Sequence, residues 1–189
     1  MGQLPGEWSF SIAGQLSWVN LLYEIINEAI ILPLFFFIGK VIIDKKEFTN
    51  RIKTGLIITL SIYLVLSAII VCFAKPLLSL MATDTTIIDA STIYIRIESV
   101  ANIFLILSQF TLVSLITINK SKYLYIITII RLILSLVCDT VLVSSLPISL
   151  NLGINGIGYS NIIVNIVLLC ISLVFLLKEN INIFKVKEI

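Results

Sequence analysis

Apolar positions run along this chain in long blocks, separated by short clusters of charge, proline and glycine. A bilayer core about 30 Å thick takes roughly 20 helical residues to cross. Five blocks reach that length, at residues 17–43, 54–74, 86–118, 123–146 and 156–177. The second and fifth carry no charge, and the third, amphipathic at its start, is charge-free from Ser99 to Ile118. The pattern predicts an all-α integral membrane protein, one helical domain over 1–189 with about five transmembrane helices.

The connections add direction. Lys40, Lys45, Lys46, Arg51 and Lys53 fill the first, Lys120 and Lys122 the third, and Lys178, Lys185 and Lys187 the tail. The opposite side has only Lys75. Basic residues stay cytoplasmic, so the N-terminus is expected outside and the C-terminus in the cytoplasm. The segment "KPLLSLMATDTT" reads as a short interfacial turn, with Asp84 or Thr85 as N-cap of the third helix. The uncharged fourth connection, "SSLPISLNLGINGIG", breaks helix and is expected to fold back on the bundle. The tail "KENINIFKVKEI" fits either an inner-surface segment or a solvated end.

Composition narrows the class. Of 189 residues, 59% are hydrophobic and 13% charged, with a mean hydropathy of +1.12. Soluble domains carry about 45–50% apolar and about 25% charged residues, so a water-soluble fold is excluded. The net charge of +2 and the lack of a basic run interleaved with aromatics argue against nucleic acid as a partner. Histidine is absent, and Cys72, Cys138 and Cys170 lie far apart in apolar runs, as small buried hydrophobes. No metal site, disulfide framework or tightly bound cofactor is expected. The opening "MGQLPGEWSF" lacks the basic start and apolar run of a cleavable signal.

Against that background the polar residues inside the blocks stand out, because a charge at the bilayer centre costs about 2.5–3.5 kcal/mol on insertion scales. Asn20, Glu24, Asn27 and Glu28 share a sector of about 100° on the first helix. Pro33 removes the hydrogen bond to the Ala29 carbonyl and predicts a kink there. A carboxylate beside a freed carbonyl suits Na⁺ or an exchangeable proton. Two plainer roles stay open: Glu24 solvated at the outer interface, and Glu28 protonated in an interhelical hydrogen bond.

On the third helix Glu98, Asn102 and Gln109 fall within about 40°, while Arg96 points the opposite way and is expected to snorkel. The fourth carries Arg131 at mid-depth and Asp139 nearer the outside, about 12 Å apart, so each needs a partner on another helix. Glu28 with Arg131 is one such pairing. Asn161 and Asn165 on the fifth helix read as polar packing contacts between helices. There is no nucleophile–base pairing, phosphate loop or selectivity filter, so neither an enzyme nor a channel is indicated. Polar stripes converging from several helices suit a solute pathway.

Three stretches, in order, resemble the multidrug and toxin extrusion (MATE) family. "LPLFFFIGKVIIDKKEFTNRIKTGLIITLSIYLVL" resembles its second helix, basic loop and third helix. "KPLLSLMATDTTIIDASTIYIRIES" resembles the external segment and the Tyr-containing entry to the fourth. "CDTVLVSSLPISLNLGINGIGYSNII" resembles the acidic end of the fifth and the Gly-rich approach to the sixth. The likeness runs from Pro33 to Leu177 and implies helices two to six of a six-helix lobe, or equally eight to twelve, in the orientation given by the loop charges. It implies cation-coupled (Na⁺ or H⁺) efflux of organic cations or drugs from a multi-pass protein of the plasma membrane.

The chain departs from the family pattern in lacking a lobe's opening helix, where an essential acidic residue often stands, and a second lobe. A truncated or partial transporter is therefore expected, one that assembles with another copy or a missing-lobe partner. Two other readings remain: a non-transporting remnant or membrane interaction subunit, and a lipid-linked oligosaccharide flippase. The last needs a basic cavity, and Arg131 is the one deep cation in the sequence.

Overall fold

α1 (Trp8–Gly39), α2 (Lys45–Leu80), α3 (Ile88–Thr117), α4 (Lys122–Leu142) and α5 (Gly153–Lys178) follow one another along the chain, each long and apolar enough to cross a membrane. The computed structural model describes residues 8–80, 88–144, 146–147 and 149–183, with no strand among them. Asp84 and Thr85, the expected caps of α3, lie outside the described residues.

α2 extends well beyond the apolar block 54–74 at both ends. Its start is fixed by Asp44, whose Oδ1 accepts from the backbone N–H of Lys46 at 2.9 Å and of Glu47 at 3.1 Å, an N-cap that satisfies two otherwise orphaned donors. The basic stretch expected as loop is thus an amphipathic helix. Phe48, Ile52, Gly55 and Thr59 recur at helical spacing and are buried. Arg51 on the same turn pairs with Glu47 at 3.1 Å and donates to the Phe37 carbonyl at 2.7 Å. At the far end α2 continues through Lys75 and Pro76 to Leu80 where a turn was expected. Lys75 there reaches Asp89 of α3 at 2.8 Å.

α3 is the centre of the bundle and packs on all four other helices, most extensively on α5 and α2. Small side chains allow this. Ser99, Ala101, Ser108, Thr111 and Ser114 are buried along it, and small residues let helix backbones approach where lipid supplies no hydrophobic drive. Their hydroxyls are satisfied locally: Ser99 donates to the Ile95 carbonyl at 2.8 Å, Thr111 to Leu107 at 2.8 Å and Ser114 to Phe110 at 2.9 Å. Gly158 of α5 lies so close that a Cβ there would meet Ile97 Cγ2 at 2.7 Å.

Two turns close by the same device. Asn119 and Asn180 adopt positive φ of 62° and 61°. Lys120 N–H then reaches the Leu115 carbonyl at 3.1 Å, and Ile181 N–H the Leu176 carbonyl at 3.1 Å, the six-to-one bond of a Schellman cap. The turn after α5 consequently brings Ile181 inward, buried beside Leu176, Phe48 and Ile52. The segment after α4 also turns back, Leu150 and Leu152 donating to the carbonyls of Val141 and Leu142 at 2.8 and 2.9 Å.

The outward surface is apolar, with Ile57, Val65, Phe73, Leu132, Leu136 and Val174 exposed, as a lipid-facing surface requires. Cys72 and Cys170 are on that surface and only Cys138 is buried; their helix faces point outward. Arg96 is also exposed and donates Nε to the Val71 carbonyl of α2 at 3.1 Å. α1 remains helical on both sides of Pro33.

Candidate functional site

Between α1, α2 and α3 lies a polar cavity of about 290 Å³. α1 lines it with Asn20, Tyr23, Glu24 and Asn27, α2 with Tyr63, and α3 with Glu98, Asn102, Leu105, Ile106 and Gln109. Among the described residues no lysine or arginine lines it. The polar stripes of α1 and α3 therefore face each other across one space.

Hydrogen bonds set the walls. Asn27 Nδ2 donates to Gln109 Oε1 at 2.7 Å, joining α1 to α3 across the cavity. The other end of the same amide, Asn27 Oδ1, is buried with no partner. Tyr23 and Tyr63 stand with ring centroids 5.9 Å apart. The Tyr63 hydroxyl donates to the Tyr23 carbonyl at 3.3 Å, and the Tyr23 hydroxyl meets Ser67 Oγ at 3.0 Å. Ser67 in turn donates to the Ser99 carbonyl at 3.0 Å, so the wall is tied into the α2–α3 contact.

Glu98 is held from behind. Asn161 of α5 places Nδ2 3.0 Å from both carboxylate oxygens, and Asn165, one turn on, donates to the Ala101 carbonyl at 3.1 Å. Asn102 donates to the Glu98 carbonyl at 3.1 Å. The carboxyl group is thereby oriented by an uncharged donor, and among the described residues no basic side chain pairs with it.

The remaining charged residues singled out from the sequence lie elsewhere. Glu28 is exposed and outside the lining. At about 100° per residue the α1 lining is centred near Asn27 and Asn20, and Glu28 lies roughly 90° round from that centre. Arg131 is half-buried on α4, which packs on α5 and α3, whereas α1 packs on α2 and α3. The Glu28–Arg131 pairing is therefore not formed within the chain, because α3 separates the two packing layers. Asp139 is half-buried on α4, 3.5 Å from the Ser135 hydroxyl, and likewise stands apart from the cavity.

Three participants carried too little signal in the sequence. Tyr63 lies in an uncharged apolar run where nothing marks it as polar lining. Tyr23 sits at helical spacing from Asn27, which would have placed it on the stripe had tyrosine been counted as polar. Asn161 was expected to pack between helices, and its partner proves to be a carboxylate.

Five apolar spans, three of which enclose a cavity lined by two carboxylates, make a helical membrane bundle with a polar interior site. A family model described as MatE matches residues 42–141. Since that is more than half of the chain, the protein belongs to the MatE family of membrane transporters and is a multi-pass membrane protein. No curated protein and no solved structure matches it. The match takes in α2, α3 and most of α4; of the cavity it covers Tyr63, Glu98, Asn102 and Gln109 but not the α1 wall or Asn161.

Proposed function

We propose that the chain takes part in cation-coupled efflux, with organic cations and Na⁺ or H⁺ competing for the cavity between α1, α2 and α3. The observation that carries this is the donor set. Two carboxylates, Glu24 and Glu98, line one space together with the amides of Asn20, Asn102 and Gln109, and among the described residues no basic side chain lines it. Ion coupling needs such a site, because occupancy by one cation must weaken occupancy by the other.

The tyrosines fit an organic cation. Tyr23 and Tyr63, nearly buried, border the space that the carboxylates line, and a cation over an aromatic face within about 6 Å is attracted by the ring quadrupole. Binding of Na⁺ or a proton at Glu98 would neutralise that attraction and release the organic cation. The cavity is at the small end of ligand sites, which span roughly 300–1,000 Å³. An anionic oligosaccharide-phosphate head group fits poorly, for it would meet carboxylates and no cation.

The test is uptake of a fluorescent organic cation into proteoliposomes holding this chain, under an imposed Na⁺ or H⁺ gradient. Gradient-dependent movement, lost in Glu98→Gln and reduced in Glu24→Gln, is expected; one ion gradient alone should drive it. Movement that ignores both gradients, or that survives both substitutions, would refute the reading. A folded protein that binds the cation without moving it would instead support a binding subunit.

A further inference from the structure

The cavity leaves Glu28, Arg131 and Asp139 of the spans without a role, and of these Asp139 has the Ser135 hydroxyl at 3.5 Å. Glu28 on α1 and Arg131 on α4 form no ion pair or side-chain hydrogen bond among the described residues. Their depths match. Glu28 precedes the end of α1 at Gly39, and Arg131 follows the start of α4 at Lys122, two helix ends on one side of the membrane by the alternation of the spans. At 1.5 Å per residue they lie about 16 and about 14 Å in from that side.

Glu28 sits on an exposed face of α1, and Arg131 is half-buried at the border of the α4 face that packs on α5. On α1, Leu21, Ile25 and Leu32 flank Glu28 at helical spacing and are exposed. On α4, Thr128, Arg131, Ser135 and Asp139 form a polar stripe within about 80°, and only Tyr123, Ile127 and Cys138 of the whole helix are buried. A lone charge in hydrocarbon is unfavourable, and pairing with an opposite charge at the same depth relieves it. The complementary charge is present on this chain but on a helix that α3 keeps apart.

We propose that a second copy of this chain, inserted in the same orientation, docks here through an ion pair between Glu28 of one copy and Arg131 of the other. The inference does not depend on what the cavity transports. Apolar neighbours on α1 and small hydroxyls on α4 form the surrounding contact, and the pair sets the register between copies.

Association of the full chain in lipid bilayers, followed by energy transfer between copies labelled at the C-terminus, tests this. Glu28→Lys or Arg131→Glu alone should weaken association by about tenfold or more, as expected for loss of a charge-assisted pair. A chain carrying both exchanges should recover it. Glu28→Gln and Arg131→Gln give the same comparison should a charge reversal fail to insert. In a background lacking Cys72, Cys138 and Cys170, Glu28→Cys on one tagged copy should cross-link to Arg131→Cys on the other. A wild-type chain that stays monomeric at every protein density, or association indifferent to both exchanges, overturns the proposal. So does a cross-link that forms within one chain. Weakening by Arg131→Glu alone, seen only with anionic lipid, would assign Arg131 to a lipid phosphate and overturn it as well.

Discussion

Glu98 shows what a single half-buried carboxylate gains from its neighbours. Asn161 donates to both of its oxygens at 3.0 Å, orienting the group without neutralising it. Asn161→Ala should therefore weaken binding of a fluorescent organic cation by roughly ten- to a hundredfold, the scale of a hydrogen bond to a charged group. Helix content by circular dichroism should be unchanged. Equal affinity in the variant would show that the carboxylate is positioned by something else. Glu179 offers the contrast at the protein's edge. The Tyr123 hydroxyl at 2.8 Å and Lys120 at 3.1 Å hold its carboxyl below the usual carboxylate range.

A depressed folded-state value means that this clasp stabilises the protein fully above the unfolded carboxylate range and loses its contribution as pH falls through the depressed value. Wild type should melt above Glu179→Gln at neutral pH, and the two should converge in acid. Salt should narrow the neutral-pH gap, since Lys120 is partly exposed. A gap that is constant with pH would mean that Glu179 acts through packing alone.

Among the elements, α2 depends on a cap and α5 on a glycine. Removing the Asp44 cap in Asp44→Ala should cost about 1 kcal/mol, read as a lower melting temperature with fraying confined to Lys45–Arg51. Gly158→Val should cost more, about 1–3 kcal/mol for an overpacked contact, because the new side chain would run into Ile97 at the α3–α5 interface. Since Glu98 lies one residue from Ile97 and is held by Asn161 on the same face of α5, this variant should also lower cation affinity. Normal affinity in a destabilised Gly158→Val protein would show that the site tolerates α5 moving away.

For the whole molecule the testable quantity is orientation. With basic residues gathered at the α1–α2 and α3–α4 ends and at the tail, those ends should be cytoplasmic. In a cysteine-free chain, Lys75→Cys should react with an impermeant maleimide in intact cells, and Lys46→Cys only after permeabilisation. The reverse labelling would invert the direction of the proposed efflux.

The sequence by itself determined the solvent, the helical class and the two stripes. Apolar length and helical phase are properties of one segment at a time, and a bilayer leaves helices as the natural spanning form for such segments. Hence residues 17–43 and 86–118 already marked α1 and α3, and Glu24, Glu98, Asn102 and Gln109 already stood on polar faces. Hydropathy alone could not show that 45–53 is helix, because that stretch is amphipathic and its helical start depends on the Asp44 cap. Only the tertiary structure decided which stripes meet, since the rotation of each helix about its axis is set by packing on its neighbours. That rotation turned Tyr23 and Asn27 into the cavity and Glu28 out of it, brought Tyr63 from an unmarked apolar run to its wall, and set Asn161 behind Glu98. It also placed α3 between Glu28 and Arg131, because α3 carries the small residues that let four helices approach it at once.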